Sequence, residues 1–200
     1  MCLFLQAKYL FRDKVKLAQH IINKLEETDY DGELTYPDPI KLQQIMYFLY
    51  GYYSARFDLN NFDRDIVIKQ SWESQIPPEE LFSYRFKAGY YGATDFLIDS
   101  KYVYKDNGTP YYEKPDTISN EELYLSSSIR DKDFYNYMYK IAIENPLNEL
   151  IGAGTNTFTL VKFTHNTKAW KEAYAKNDNG TELIHKETLK EEFKQRLFDN

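Results

Sequence analysis

Between Phe11 and Glu27 the apolar residues Phe11, Val15, Leu17, Ala18, Ile21, Ile22 and Leu25 recur at intervals near three and four, the period of a helix with one buried face. A turn is expected over Thr28–Gly32, where Gly32 and the two aspartates suit chain reversal, and a loop with Pro37 follows. Asp38-Pro39 opens the second predicted helix: the carboxylate accepts from orphan amides, and proline at the first helical position gives up no bond it would have made. Leu42, Ile45, Met46 and Leu49, continued by Tyr52 or Tyr53, form its apolar stripe. This helix, ending near Arg56, is expected to be the central core element, with Leu42, Ile45 and Leu49 as anchors.

The pattern then weakens. Asn60–Pro78 has no helical period and closes on Pro77-Pro78, so an irregular connection is expected, with a short strand at Ile66–Lys69. Leu81–Ala88 alternates weakly and reads as extended. Tyr102–Lys105 and Thr109–Glu113 flank Asn107-Gly108, the residues of a two-residue primed turn, and predict a peripheral hairpin near 101–114. Ser119 and Glu122 have the spacing of a capping box, and Asp131–Glu144 is a helix with Phe134, Tyr137, Met138 and Ile141 on one side, stopped by Pro146. After Gly152 and Gly154, Thr157–Phe163 reads as a short helix turning Phe158, Leu160 and Val161 inward; Thr167 then caps Lys168–Lys176. Asn179-Gly180 is a turn before a last helix at Lys186–Leu197. With no repeat and no linker, the expectation is one mainly α domain over 1–200, compact and helical, with a small hairpin or short sheet.

Composition narrows the function classes. Apolar residues are 42% of the chain and aromatic ones 17%, enough for a packed core and too much for a disordered segment. Tyrosine occurs 19 times against 2 tryptophans, and a phenol can keep its hydroxyl wet while its ring packs, so surface contact faces are expected. A net charge of −6 argues against a nucleic-acid partner and for a protein partner, a basic one fitting best. The single Cys2 excludes an internal disulfide and fits a reducing compartment. The stretch Met1–Leu10 is short and carries Gln6 and Lys8, so no leader or membrane span is expected and a cytoplasmic location is.

Three blocks, in order, carry a family likeness: Lys41-Leu42-Gln43-Gln44-Ile45-Met46-Tyr47-Phe48 with Gly51-Tyr52; Phe86-Lys87-Ala88 with Tyr91-Gly92; and Leu160–Asn166 with Ala169-Trp170 and Tyr174, followed by Leu183-Ile184. Over Phe11–Phe198 the chain resembles the Panacea domain family, which includes SocA-like antitoxins and phage-associated GepA-like proteins. Where the family has Gly-Pro-Val, this chain has Gly92-Ala93-Thr94. The resemblance implies a small helical protein that neutralises a co-encoded toxin by binding it. Its alternative is a phage-borne adaptor that delivers a client to an AAA+ protease or inhibits a host defence protein.

Candidate chemistry adds no catalytic centre to this picture. His20, His165 and His185 are far apart and lack metal-ligand spacing, so no metal and no cofactor are expected. The adjacent pairs Glu26-Glu27, Glu79-Glu80 and Glu191-Glu192 point apart on a helix and read as solvated faces. Ser126-Ser127-Ser128 lacks a nucleophile elbow, and Gly89, Gly92, Gly152 and Gly154 form no phosphate loop. No enzyme is expected. The candidate partner contacts are Lys41, whose charge is awkward near a helix start, Tyr47 and Tyr50 from a tyrosine run wider than one face, Tyr91, Gly92, Thr164 and His165. Trp170 is expected to be a structural anchor locking two short helices.

Overall fold

The structure is a computed structural model that describes residues 7–25, 27–28, 34–35, 38–57, 76–99, 103–104, 110–111, 117–152, 156–176 and 182–198. Its fold is mainly α. Residues 7–12 run extended: the amides of Leu10 and Phe11 donate to the carbonyls of Glu80 and Leu81 at 2.8 Å, and Ser128 donates back to Leu10. Helix α1 (Lys14–Lys24) therefore starts later than the periodicity of Phe11 and Val15 implies. Asp13 sets that start by accepting from the amides of Val15 and Lys16. The chain then pairs β1 (Glu27–Thr28) with β2 (Leu34–Thr35), an antiparallel ribbon across the expected turn.

Helix α2 (Pro39–Arg56) starts where Asp38-Pro39 predicts, with the Asp38 carboxylate accepting from Ile40 at 2.6 Å. It is buried almost all round, not along one stripe: besides Leu42, Ile45, Met46 and Leu49, the interior takes Gln43, Gln44, Tyr47, Phe48, Tyr50 and Tyr53. A helix apolar on every side belongs at the centre of a domain, and the other elements wrap it. Its phenols tether the wrapping: Tyr53 donates to the carbonyl of Pro78 at 2.6 Å, and Tyr50 to the buried Glu80 carboxylate at 3.0 Å, which also holds Lys186. Tyrosine thus serves the interior here, where the composition pointed to surface contacts.

A hairpin, β3 (Lys87–Gly89) with β4 (Gly92–Thr94), closes on Tyr90-Tyr91 in the register Gly89↔Gly92. Its outer edge is completed by the extended residues 182–184, which exchange backbone bonds with Phe86 and Ala88. A short helix, α3 (Phe96–Asp99), follows. Within the hairpin predicted near 101–114, β5 (Val103–Tyr104) pairs antiparallel with β6 (Pro110–Tyr111), Tyr104 facing Pro110.

Helix α4 (Asn120–Ser126) carries the predicted capping box of Ser119 and Glu122. Helix α5 (Lys132–Tyr139), capped by Asp131, is not stopped by Pro146. A π turn at Lys140–Glu144, in which Asn145 donates to the carbonyl of Lys140, joins it to α6 (Asn145–Gly152). The missing N–H and bulky ring of Pro146 cannot fit a regular α ladder, and the wider turn accommodates them. Helices α7 (Thr157–Asn166) and α8 (Lys168–Tyr174) meet at Thr167, which caps α8 as predicted, and α9 (Lys186–Phe198) packs on α2. That contact is close: a β-carbon on Gly51 would lie 2.8 Å from the Phe193 ring. On α7, Leu160 is buried as predicted and Val161 half-buried, but Phe158 points outward, because the inward stripe runs through Leu160 and Thr164. The Ile66–Lys69 strand, the Asn107-Gly108 and Asn179-Gly180 turns and Cys2 lie outside the described residues. No helix among the described residues is long and apolar enough to cross a membrane.

Candidate functional site

Gln44 is the point where three distant segments meet. A buried amide must find partners for both ends, and α2 turns this one toward the β3–β4 hairpin. Its Nε2 donates to the carbonyls of Tyr91 and Ala93 at 3.2 Å, while its Oε1 accepts from the amide of Ala93 at 3.1 Å and from the Thr164 hydroxyl at 2.8 Å. The amide of Ala93 is a donor that proline, the residue of the Panacea pattern, lacks. Gly92 permits the approach: its φ is +104°, and a β-carbon there would lie 2.4 Å from Gln44 Oε1. One turn along, Tyr47 shares a 3.1 Å bond with Thr167, whose hydroxyl also donates to the carbonyl of Thr164. Burial pushes the Tyr47 phenol well above its ordinary pKa, so it remains a neutral hydroxyl.

A buried ion pair locks the other end of the hairpin. Lys14 Nζ lies 2.5 Å from Asp95 Oδ2, both side chains being buried, and it also donates to the carbonyl of Ser83. Asp95 accepts the amide of Leu97 through its other oxygen, and Gln43 exchanges bonds with its backbone. Neither Lys14 nor Asp95 stood out in the sequence, since their helix and loop positions reveal nothing of a contact made across 81 residues.

Over this scaffold lies a stack of rings. His165 stacks on Trp170 at 4.1 Å between centroids, and Trp170 on Tyr174 at 4.5 Å. Trp170 is buried, as expected of an anchor. Burial holds the pKa of the His165 imidazole below the usual value, against the opposing pull of the Tyr90 backbone. The buried His165 Nε2 and Trp170 indole nitrogen have no hydrogen-bond partner among the described residues. The tyrosines of the hairpin turn project outward beside it. Tyr90 is 71% exposed and Tyr91 57%, with their rings edge to face 4.9 Å apart. Phe158, 83% exposed, occupies the same side of α7 as His165, seven residues earlier.

The predicted contact residues are therefore split. Tyr91, Lys41 and His165 reach the surface wholly or in part. Tyr47, Tyr50 and Thr164 do not: each is buried with its hydroxyl spent on an internal partner, and Gly92 lies beneath the turn against Gln44. They shape the surface from below. The signal for the turn itself was the symmetric run Ala88-Gly89-Tyr90-Tyr91-Gly92-Ala93, small residues flanking two large ones, which reads as a two-residue reversal.

No protein-family model, curated protein or solved structure matches the chain. The two other histidines lie away from this site. His20 is buried with both nitrogens bonded, Nδ1 to the carbonyl of Ile118 and Nε2 to the Tyr139 hydroxyl, each at 2.7 Å. His185 lines a separate open cleft of about 730 Å³ between α8 and α9, together with Lys168, Lys171, Glu172 and Glu191. Its carboxylates are drawn into ion pairs, Glu172 with Lys168 and Glu191 with Lys194. Among the described residues, no three His, Cys, Asp or Glu side chains converge as metal ligands.

Proposed function

We propose that this protein is a non-enzymatic binding module that neutralises a protein partner by direct contact, as Panacea-like antitoxins do. One observation carries the reading: the three blocks of the family likeness converge on the Gln44 side chain, which joins α2, Tyr91-Gly92 and Thr164 into one unit. A buried polar network of this kind fixes a unique backbone arrangement without supplying a reactive group. Above it, the Tyr90-Tyr91 turn is held rigidly at the surface with two large rings in water, the arrangement of a contact hot spot.

The test is co-expression with the product of the adjacent gene. Growth rescue, with co-purification of a stable complex, is the expected result. A neighbouring product that is not toxic, and does not bind at micromolar concentration, removes the reading.

A further inference from the structure

The face around the Tyr90-Tyr91 turn differs in charge from the rest of the molecule. The chain holds 31 acidic residues in 200, yet Lys87–Thr94 and Thr157–Asn166 contain none, where that density would place about three. Helix α2 likewise has no Asp or Glu from Pro39 to Arg56. The exposed or half-buried charges on the elements around the turn are Lys87 on β3 with Arg85 just before it, Lys162 on α7 and Lys41, one helical turn from Gln44, against one carboxylate, Glu182, on the strand that edges β3. Among the described residues these three lysines make no ion pair. On α9 the cations are matched: Lys190 with Glu187, Lys194 with Glu191 and Arg196 with Glu192.

Exposed aromatic rings and ammonium groups with no ion-pair partner among the described residues occur together on the elements that Gln44 joins. An acidic ligand is repelled by a chain of net charge −6 everywhere except at a local excess of positive charge, which orients its approach. Apolar anchors are then needed for residence, and Tyr90, Tyr91 and Phe158 provide the matching area. Resting on the protein-binding function above, we propose that Tyr90, Tyr91, Phe158, Lys41, Lys87 and Lys162 form the docking surface for an acidic segment of the partner, one that interleaves Asp or Glu with large apolar side chains. This replaces the basic partner that the overall charge pointed to. A protein segment fits better than a nucleic-acid strand, because three lysines on a chain of net charge −6 neutralise few phosphates.

Selection of a displayed library of random twelve-residue peptides against the full chain tests the proposal, with affinities of the selected peptides measured by fluorescence anisotropy. Peptides enriched in Asp and Glu beside Phe, Leu or Trp are expected, binding about tenfold more weakly to Tyr91→Ala and to Lys162→Glu and losing affinity with added salt. Both substitutions lie at exposed positions, and circular dichroism melts confirm that the variants fold. Selected peptides without acidic enrichment, affinities unchanged in both variants, or tighter binding of a fifteen-residue deoxythymidine oligonucleotide would each overturn it. A neighbouring-gene product that binds wild type and both variants equally also removes this surface, while leaving the antitoxin-like function intact. Acidic peptides that bind here in a variant-sensitive way, with no neighbouring product bound, uphold the surface and remove that function instead.

Discussion

Gly92 is packed against the Gln44 side chain so closely that the smallest side chain cannot be added to it: a β-carbon would approach Oε1 to 2.4 Å, from a backbone with φ of +104°. Substitution Gly92→Ala must both strain the backbone and displace an amide that holds Ala93 and Thr164. A loss of about 2 kcal/mol or more is expected in urea denaturation. Gln44→Ala alone should cost a similar amount, whereas the double variant should lose less than the sum, because the second change removes the atom the first collides with. Additive losses would show that the two residues act separately.

The ion pair of Lys14 and Asp95 gives a second expectation. Removing one member of a buried pair leaves an uncompensated charge in the interior, at a cost of about 3–5 kcal/mol. Lys14→Met should therefore destabilise strongly, and the Lys14→Met, Asp95→Asn double variant should recover part of the loss. Equilibrium unfolding at neutral pH measures both. A single variant within about 0.5 kcal/mol of wild type would contradict the buried placement.

Histidine makes stability depend on pH in a definite direction. Burial is the main cause that lowers the pKa of His20 and of His165. Both rings therefore bind protons less readily folded than unfolded, where the pKa is about 6.5. The corresponding stability is complete above that value and is lost as pH falls through it toward the folded values. Denaturation midpoints at pH 7.5 and 5.5 should drop in wild type, and drop less in His20→Gln and His165→Gln relative to each variant's own value at pH 7.5. An equal drop in all three proteins would assign the pH dependence to other groups.

What was legible in the sequence is what is local. Asp38-Pro39, the Ser119 and Glu122 box, Asp131 and Thr167 each bond within three residues along the chain, so spacing alone locates the helix starts. The interior bonds are long-range: Gln44 reaches Thr164 across 120 residues, and Tyr47 reaches Thr167 across the same distance. No periodicity encodes which loop will cover a helix face, so α2 read as one stripe although it is buried all round. The same gap separates contact residues from supporting ones. Tyr50 and Tyr91 are alike in type, and only packing against Tyr84 and Phe82 makes the first an interior residue.

The turn at Lys140–Glu144 amounts to one surplus residue spliced into an otherwise continuous rod. Each residue advances a helix by about 100°, so excising one there would wind everything beyond it by that angle. Leu147, seated in the core, would swing toward water. Whatever length variation this chain tolerates elsewhere, that stretch works as a gear tooth whose loss turns the whole shaft.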